Sequence, residues 1–141
     1  MTCRALWMLL ACLALATPAR AADPPGGDPI GSKLFPPELV MANQGELGLD
    51  DRQRETILKE LERAQAQFPR LQWQLQGASQ QLGKLLDATQ VDEAKALAQA
   101  TEVMKLETEI KKAHLTLLIR IRNVLTEAQR SKLQALRRAG N

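Results

Sequence analysis

The chain has 141 residues, of which 45% are hydrophobic, 25% charged and 3% aromatic, with no Tyr and a formal net charge of +3. That length fits one small domain, and the dominance of Ala, Leu, Gln, Glu, Lys and Arg favours helix over a β-sandwich or barrel. The excess of positive charge is weak evidence for a nucleic-acid partner, because part of it sits in the first residues.

Arg4 precedes an apolar run from Ala5 to Ala16, and Ala19-Arg20-Ala21 supplies a small-x-small cleavage site. This pattern predicts a cleaved signal peptide over residues 1–21, with Ala22 as the mature N-terminus and export as the destination. The run is shorter than the about 20 apolar residues that a membrane span needs. Leu9-Leu10-Ala11-Cys12 faintly resembles a lipoprotein box, but cleavage there would strand Leu13 to Ala16 in the mature chain. Loss of Arg4 and Arg20 leaves 17 basic against 16 acidic residues, a net charge of +1. Cys3 and Cys12 leave with the signal, so the mature chain has neither a disulfide nor a thiolate metal site.

Residues 22–34 are rich in Pro and Gly and read as a flexible leader, followed by a helical domain over 35–139. Pro36-Pro37-Glu38 opens a first helix over about 37–44, with Pro tolerated in its first turn and Gly45 and Gly48 ending it. Leu49-Asp50-Asp51-Arg52-Gln53 is a helix start: Asp50 accepts from the free donors of the first turn and Gln53 reaches back to the Asp50 N–H. The second helix is expected from Asp51 to about Asp87. Ile57, Leu61, Ala64, Phe68, Leu71, Leu75, Ala78, Leu82 and Leu85 alternate four and three residues apart, which keeps one face apolar in coiled-coil fashion. Pro69 falls inside this stretch, and the unbroken phase on either side predicts a kink rather than a break.

Asp87 to Gln90 form the turn, and Asp92 caps a third helix whose stripe is Val103, Leu106, Ile110, Ala113, Leu117, Ile121 and Val124, widened by Leu115, Leu118 and Ile119. Glu55–Lys59 and Glu107–Lys111 have helix-supporting spacing. Leu125-Thr126-Glu127-Ala128-Gln129 repeats the capping device, and a fourth helix runs to about Arg138 with Leu133 and Leu136 as anchors. The fold expected is therefore all-α: a long kinked antiparallel helical hairpin with shorter flanking helices, four helices in all. Charge is uneven along it. Residues 22–62 carry four basic and nine acidic residues, and residues 120–141 six basic and one acidic. Either a dimer pairs these opposite ends, or the last helix simply uses its cations for solvation.

Catalytic chemistry finds no support. The single His, His114, could pair only with Ser32, Ser79 or Ser131, none in an elbow-type glycine context, so no enzyme and no catalytic residue is expected. No cofactor is expected either. A metal site would have to build on His114 with carboxylates or a second subunit's His114, so zinc or another transition ion is a poorly supported ligand.

Two Leu-x-x-x-Gln helix starts around a long helical hairpin in an exported small protein resemble the Spy/CpxP group of periplasmic proteins, related to heavy-metal resistance and sensor proteins of the ZraP and CnrX type. Leu125-Thr126-Glu127-Ala128-Gln129 matches the LTxxQ signature of that group fully, while Leu49-Asp50-Asp51-Arg52-Gln53 has Asp50 in place of Thr. The resemblance covers roughly residues 35–137. It implies a periplasmic all-α homodimer, cradle-like in the Spy branch, that holds unfolded or partly folded proteins without ATP. It also implies links to envelope stress through a membrane-bound sensor, or metal sensing through His, Glu and Met; nucleic acid is no partner. Under this resemblance Leu49, Asp50, Gln53, Leu125, Thr126 and Gln129 are the capping motif, and Trp73, Phe68 and Met41 are candidates for client binding. From spacing alone, Phe68, Leu71, Met41 and Met104 read first as core, and Trp73, off the seam, as a partly buried flank residue.

Overall fold

The computed structural model describes residues 30–139; the expected signal peptide and most of the expected leader lie outside them. A 3-10 turn at Gly31–Lys33 is followed by α1 (Pro37–Ala42), α2 (Gln44–Leu47), α3 (Asp51–Leu86), α4 (Glu93–Val124) and α5 (Glu127–Ala139). Among the described residues there is no strand, and no helix is long and apolar enough to cross a membrane.

Each boundary has a local cause. Pro37 sits at the first position of α1, where its missing N–H costs nothing. The single first helix expected over 37–44 is instead two short ones. They divide at Asn43, whose side chain donates to the Leu39 carbonyl at 2.7 Å and so closes α1 with a side-chain bond. Gly48 ends α2 in the left-handed region, φ 60°, which a side chain would disfavour. Asp50 caps α3 with both halves of the capping box, and Asp92 caps α4 by accepting from the Lys95 N–H at 3.1 Å.

α3 runs without interruption through Pro69, as the continuous apolar phase requires. All nine seam residues from Ile57 to Leu85 are buried or partly buried, and nearly every residue between them is exposed. They face α4, whose Ala96, Leu106, Leu117 and Ile121 are buried in return. At about 1.5 Å per residue, α3 is a rod of roughly 54 Å.

The core is concentrated at one end of this hairpin. Phe35, Val40, Leu47, Leu49, Ile57, Leu117, Ile121, Leu125 and Leu133 form one cluster, drawn from the 30–49 segment, the start of α3, the end of α4 and α5. Beyond Phe68 the arm is two helices thick, and its buried hydrophobics are Leu71, Ala96 and Leu106. One interhelical polar tie lies there: Gln99 Nε2 donates to the Ala78 carbonyl at 2.9 Å.

The basic C-terminal region turns back on its own chain. Arg122 donates to the Lys33 carbonyl at 3.1 Å, Lys132 to the Glu46 carbonyl at 2.6 Å, and Arg137 to the carbonyls of Gly31 and Leu34. The Arg137 guanidinium also stands 5.3 Å from the centre of the Phe35 ring. These side chains therefore close the base of the hairpin rather than only solvating the last helix. Residues 30–35, the last of the expected leader among them, are held by them, with Leu34 and Phe35 buried. The Glu55–Lys59 and Glu107–Lys111 pairs do not form. The ion pairs of the described residues are Arg54–Asp51, Arg63–Glu60, Lys95–Asp92, Lys105–Glu102 and Arg120–Glu60.

Candidate functional site

The two capping motifs meet. Gln53 accepts from its own Asp50 N–H at 3.2 Å, and Gln129 from its own Thr126 N–H at 2.9 Å. The two amides then face each other, Gln53 Nε2 donating to Gln129 Oε1 at 2.9 Å and Gln129 Nε2 to Gln53 Oε1 at 3.1 Å. Each amide reaches one step further into the opposite segment: Gln53 donates to the Val124 carbonyl at 2.9 Å, and Gln129 to the Leu47 carbonyl at 3.3 Å. The motif is thus a reciprocal clasp that fixes the starts of α3 and α5 against each other, with Leu49 and Leu125 buried beside it. Sequence spacing shows each cap alone; that the caps join needs the fold.

The hairpin arm has two unlike sides. Glu60, Arg63 and Gln67 on α3 and Glu109, Thr116 and Arg120 on α4 line an open groove of about 430 Å³ floored by Ala64, Ala113 and Leu117. Glu60 ties its two walls together, with a side chain only 15% exposed, bonded to Arg120 at 2.8 Å and Arg63 at 2.9 Å. The Arg120 hydrogen bond, opposed by partial burial and reinforced by the charges of Arg120 and Arg63, holds the Glu60 carboxyl below its ordinary value. At the far end of the arm the Asp92 carboxyl is likewise held low, first by its hydrogen bond from the Lys95 side chain.

Exposed hydrophobic side chains collect on the opposite side and the outer edges. At about 100° per residue, Leu97, Met104 and Leu115 form one stripe on α4, turned roughly 130–150° from the stripe that faces α3. Leu58 on α3 is turned in the same sense from its seam, while Trp73, two residues from both Leu71 and Leu75, points almost directly away from the seam at the outer edge of the arm. In an antiparallel pair of right-handed helices, equal senses lead to the same side of the pair. The groove residues are turned the other way. Trp73 is 77% exposed, Leu97 60% and Met104 56%, with Leu58, Leu115 and Ile119 exposed as well. Thr101 and Thr108 lie in the same α4 stripe, and their hydroxyls donate to the carbonyls of Leu97 and Met104, turning polar atoms inward to the backbone.

These positions revise two expectations. Trp73 is not a partly buried flank residue, because no described element reaches that side of α3; Met104 is not core, because it lies on the outer stripe. Phe68 and Met41 do pack against the core cluster, so of the three client-binding candidates only Trp73 lies open. Leu58 and Leu97 were missed by the sequence reading. The second stripe of α4 could have flagged Leu97, as it recurs seven residues before Met104.

His114 is exposed and meets the Phe68 ring edge-on, centroids 6.4 Å apart. Among the described residues, no three His, Cys, Asp or Glu side chains are grouped so as to hold a metal ion.

A family model described as heavy-metal resistance matches residues 5–132 of the chain. No curated protein and no solved structure matches it significantly.

Proposed function

The chain belongs to the heavy-metal resistance family, and from that membership we propose that it acts in the periplasm, after removal of its signal peptide, as an ATP-independent chaperone or envelope-stress adaptor. The observation that carries this reading is the two-sided arm. Six large hydrophobic side chains, Trp73 foremost, stand exposed along a scaffold whose other side is charged. Apolar contacts spread along an open surface hold unfolded chains by many weak interactions and let them leave again without a nucleotide cycle. An open, shallow surface also suits varied clients better than an enclosed pocket suited to one small ligand. No catalytic step is part of this reading. Homodimer formation, which would double the apolar surface, belongs to the same proposal.

The test is light scattering from several unrelated denatured proteins refolding with and without the purified protein, in metal-free buffer and without ATP. Suppression at near-stoichiometric ratios is expected, and its loss in a Trp73→Gln, Leu115→Gln variant of unchanged helix content. No suppression against any client would overturn the chaperone reading.

A second reading is favoured by the family description itself: a metal-responsive sensor or regulator acting through a membrane partner. No three-ligand grouping exists within the described residues, so in this reading ligands come from outside them, a second chain's His114 among them, and His114 is the first residue to replace. Zinc-dependent suppression, or zinc-dependent association abolished by His114→Ala, supports it.

A further inference from the structure

We propose that the base of the hairpin carries a binding site for a phosphate-bearing anion, in the cleft between the 3-10 turn, the end of α4 and the first half of α5. The cleft measures about 220 Å³ and is lined by Lys33, Arg122, Arg130, Ser131 and Gln134, together with Glu127. A second cleft of about 290 Å³ adjoins it across Lys33 and Gln134 and adds Arg137 and Arg138. Five cations therefore line the two adjoining clefts, whose lining holds a single carboxylate.

The way these cations are held distinguishes them from the arginines of the arm. Arg63 and Arg120 spend their charge on Glu60. At the base the acceptors are neutral: Arg122 bonds the Lys33 carbonyl, Arg130 the Leu125 carbonyl at 2.8 Å, and Arg137 the Gly31 carbonyl at 3.0 Å. A carbonyl fixes the guanidinium without cancelling its charge. Arg122, Arg130 and Arg137 are each half-buried, so their fields are poorly screened by water and their order is already established before a ligand arrives. A guanidinium has five N–H donors, and the bonds named here use one or two of them. The remaining donors, with the Ser131 hydroxyl and the Gln134 amide, suit an anion that offers several oxygen acceptors in a compact tetrahedron. The apolar lining is confined to Phe35, which disfavours a hydrophobic ligand.

The phosphate could arrive free or on a lipid headgroup, and two arms of one experiment separate these sources. Titration calorimetry with inorganic pyrophosphate, in chloride buffer of matched ionic strength, should show saturable one-to-one binding. Lys33→Gln or Ser131→Glu should weaken it about tenfold, a loss of roughly 1.4 kcal/mol, since neither side chain is among those that tie the base together. Lys112, on the α4 wall of the arm groove, serves as control: Lys112→Gln should leave binding unchanged. In the second arm, co-sedimentation with phosphatidylglycerol vesicles that pyrophosphate displaces identifies a headgroup; pyrophosphate binding without sedimentation identifies a soluble phosphate. Absence of saturable binding in both arms, or binding that Lys33→Gln and Ser131→Glu leave untouched, overturns the site.

Discussion

Replacing Gln129 by Ala should cost far more than the loss of one helix cap. The Gln129 amide takes part in four hydrogen bonds, to the Thr126 N–H, the Leu47 carbonyl and twice to the Gln53 amide. At about 0.5–1.5 kcal/mol net for each neutral bond, with the exposed Thr126 N–H regaining water, the expected loss is about 3 kcal/mol. An isolated cap would cost about 1 kcal/mol. Against a typical domain stability of about 5–15 kcal/mol, the loss should lower the melting temperature by about 10 °C. Urea denaturation followed by helical circular dichroism, at fixed protein concentration, measures it. The Gln53→Ala and double variants complete a cycle, in which the shared amide pair should appear as a coupling of about 1–2 kcal/mol. Two single losses near 1 kcal/mol that add within about 0.5 kcal/mol would refute the clasp and restore two independent caps.

Other substitutions probe the arm. Gly77→Ala and Gly83→Ala should each stabilise by about 0.5–1 kcal/mol, because nothing lies within 4 Å of the added Cβ; a midpoint shifted downward in urea would contradict this. Pro69→Ala on the exposed side of α3 restores an N–H for the Gln65 carbonyl and should raise stability by about 1–3 kcal/mol, read from the same midpoint. Glu60 has a folded-state pKa below its unfolded value, so its contribution is present above the unfolded pKa and is lost as pH falls through the folded one. Thermal melts on descending through the carboxylate range should therefore show a decline that Glu60→Gln flattens, and an unchanged slope would show that Arg120 and Arg63 do not depend on this carboxylate. The effect should be modest, since Arg120 remains nearly half exposed.

The long helices were legible because their evidence is local. Periodicity over the nine seam residues named the buried face of α3, and Asp50, Asp92 and Thr126 marked starts within a residue of those observed. The rest depended on contacts between distant segments. Gln53 and Gln129 are separated by 76 positions, and nothing in either motif indicates that the amides face each other. Likewise, Arg122 and Arg137 bond main-chain carbonyls of residues 31–34, acceptors that carry no side-chain signature. Trp73 and Met104 were misplaced for a related reason. Apolar residues off a seam are core only where a third layer covers them, and beyond Phe68 the described arm has two helices and no third.

The Arg137–Gly31 bond brings the first and last described segments to the same corner of the molecule. The path of the described chain is therefore nearly a closed ring, and the turn at 87–92, at the opposite pole, is a natural place to cut it. A circular permutant opened there and joined across residues 30 and 139 should keep every contact of the base, because the join spans neighbours. Whatever is joined directly to residue 30 or residue 139 would grip the protein by its base like a handle and leave the arm projecting freely. Reporters or surface tethers can be placed there without shading the exposed tryptophan.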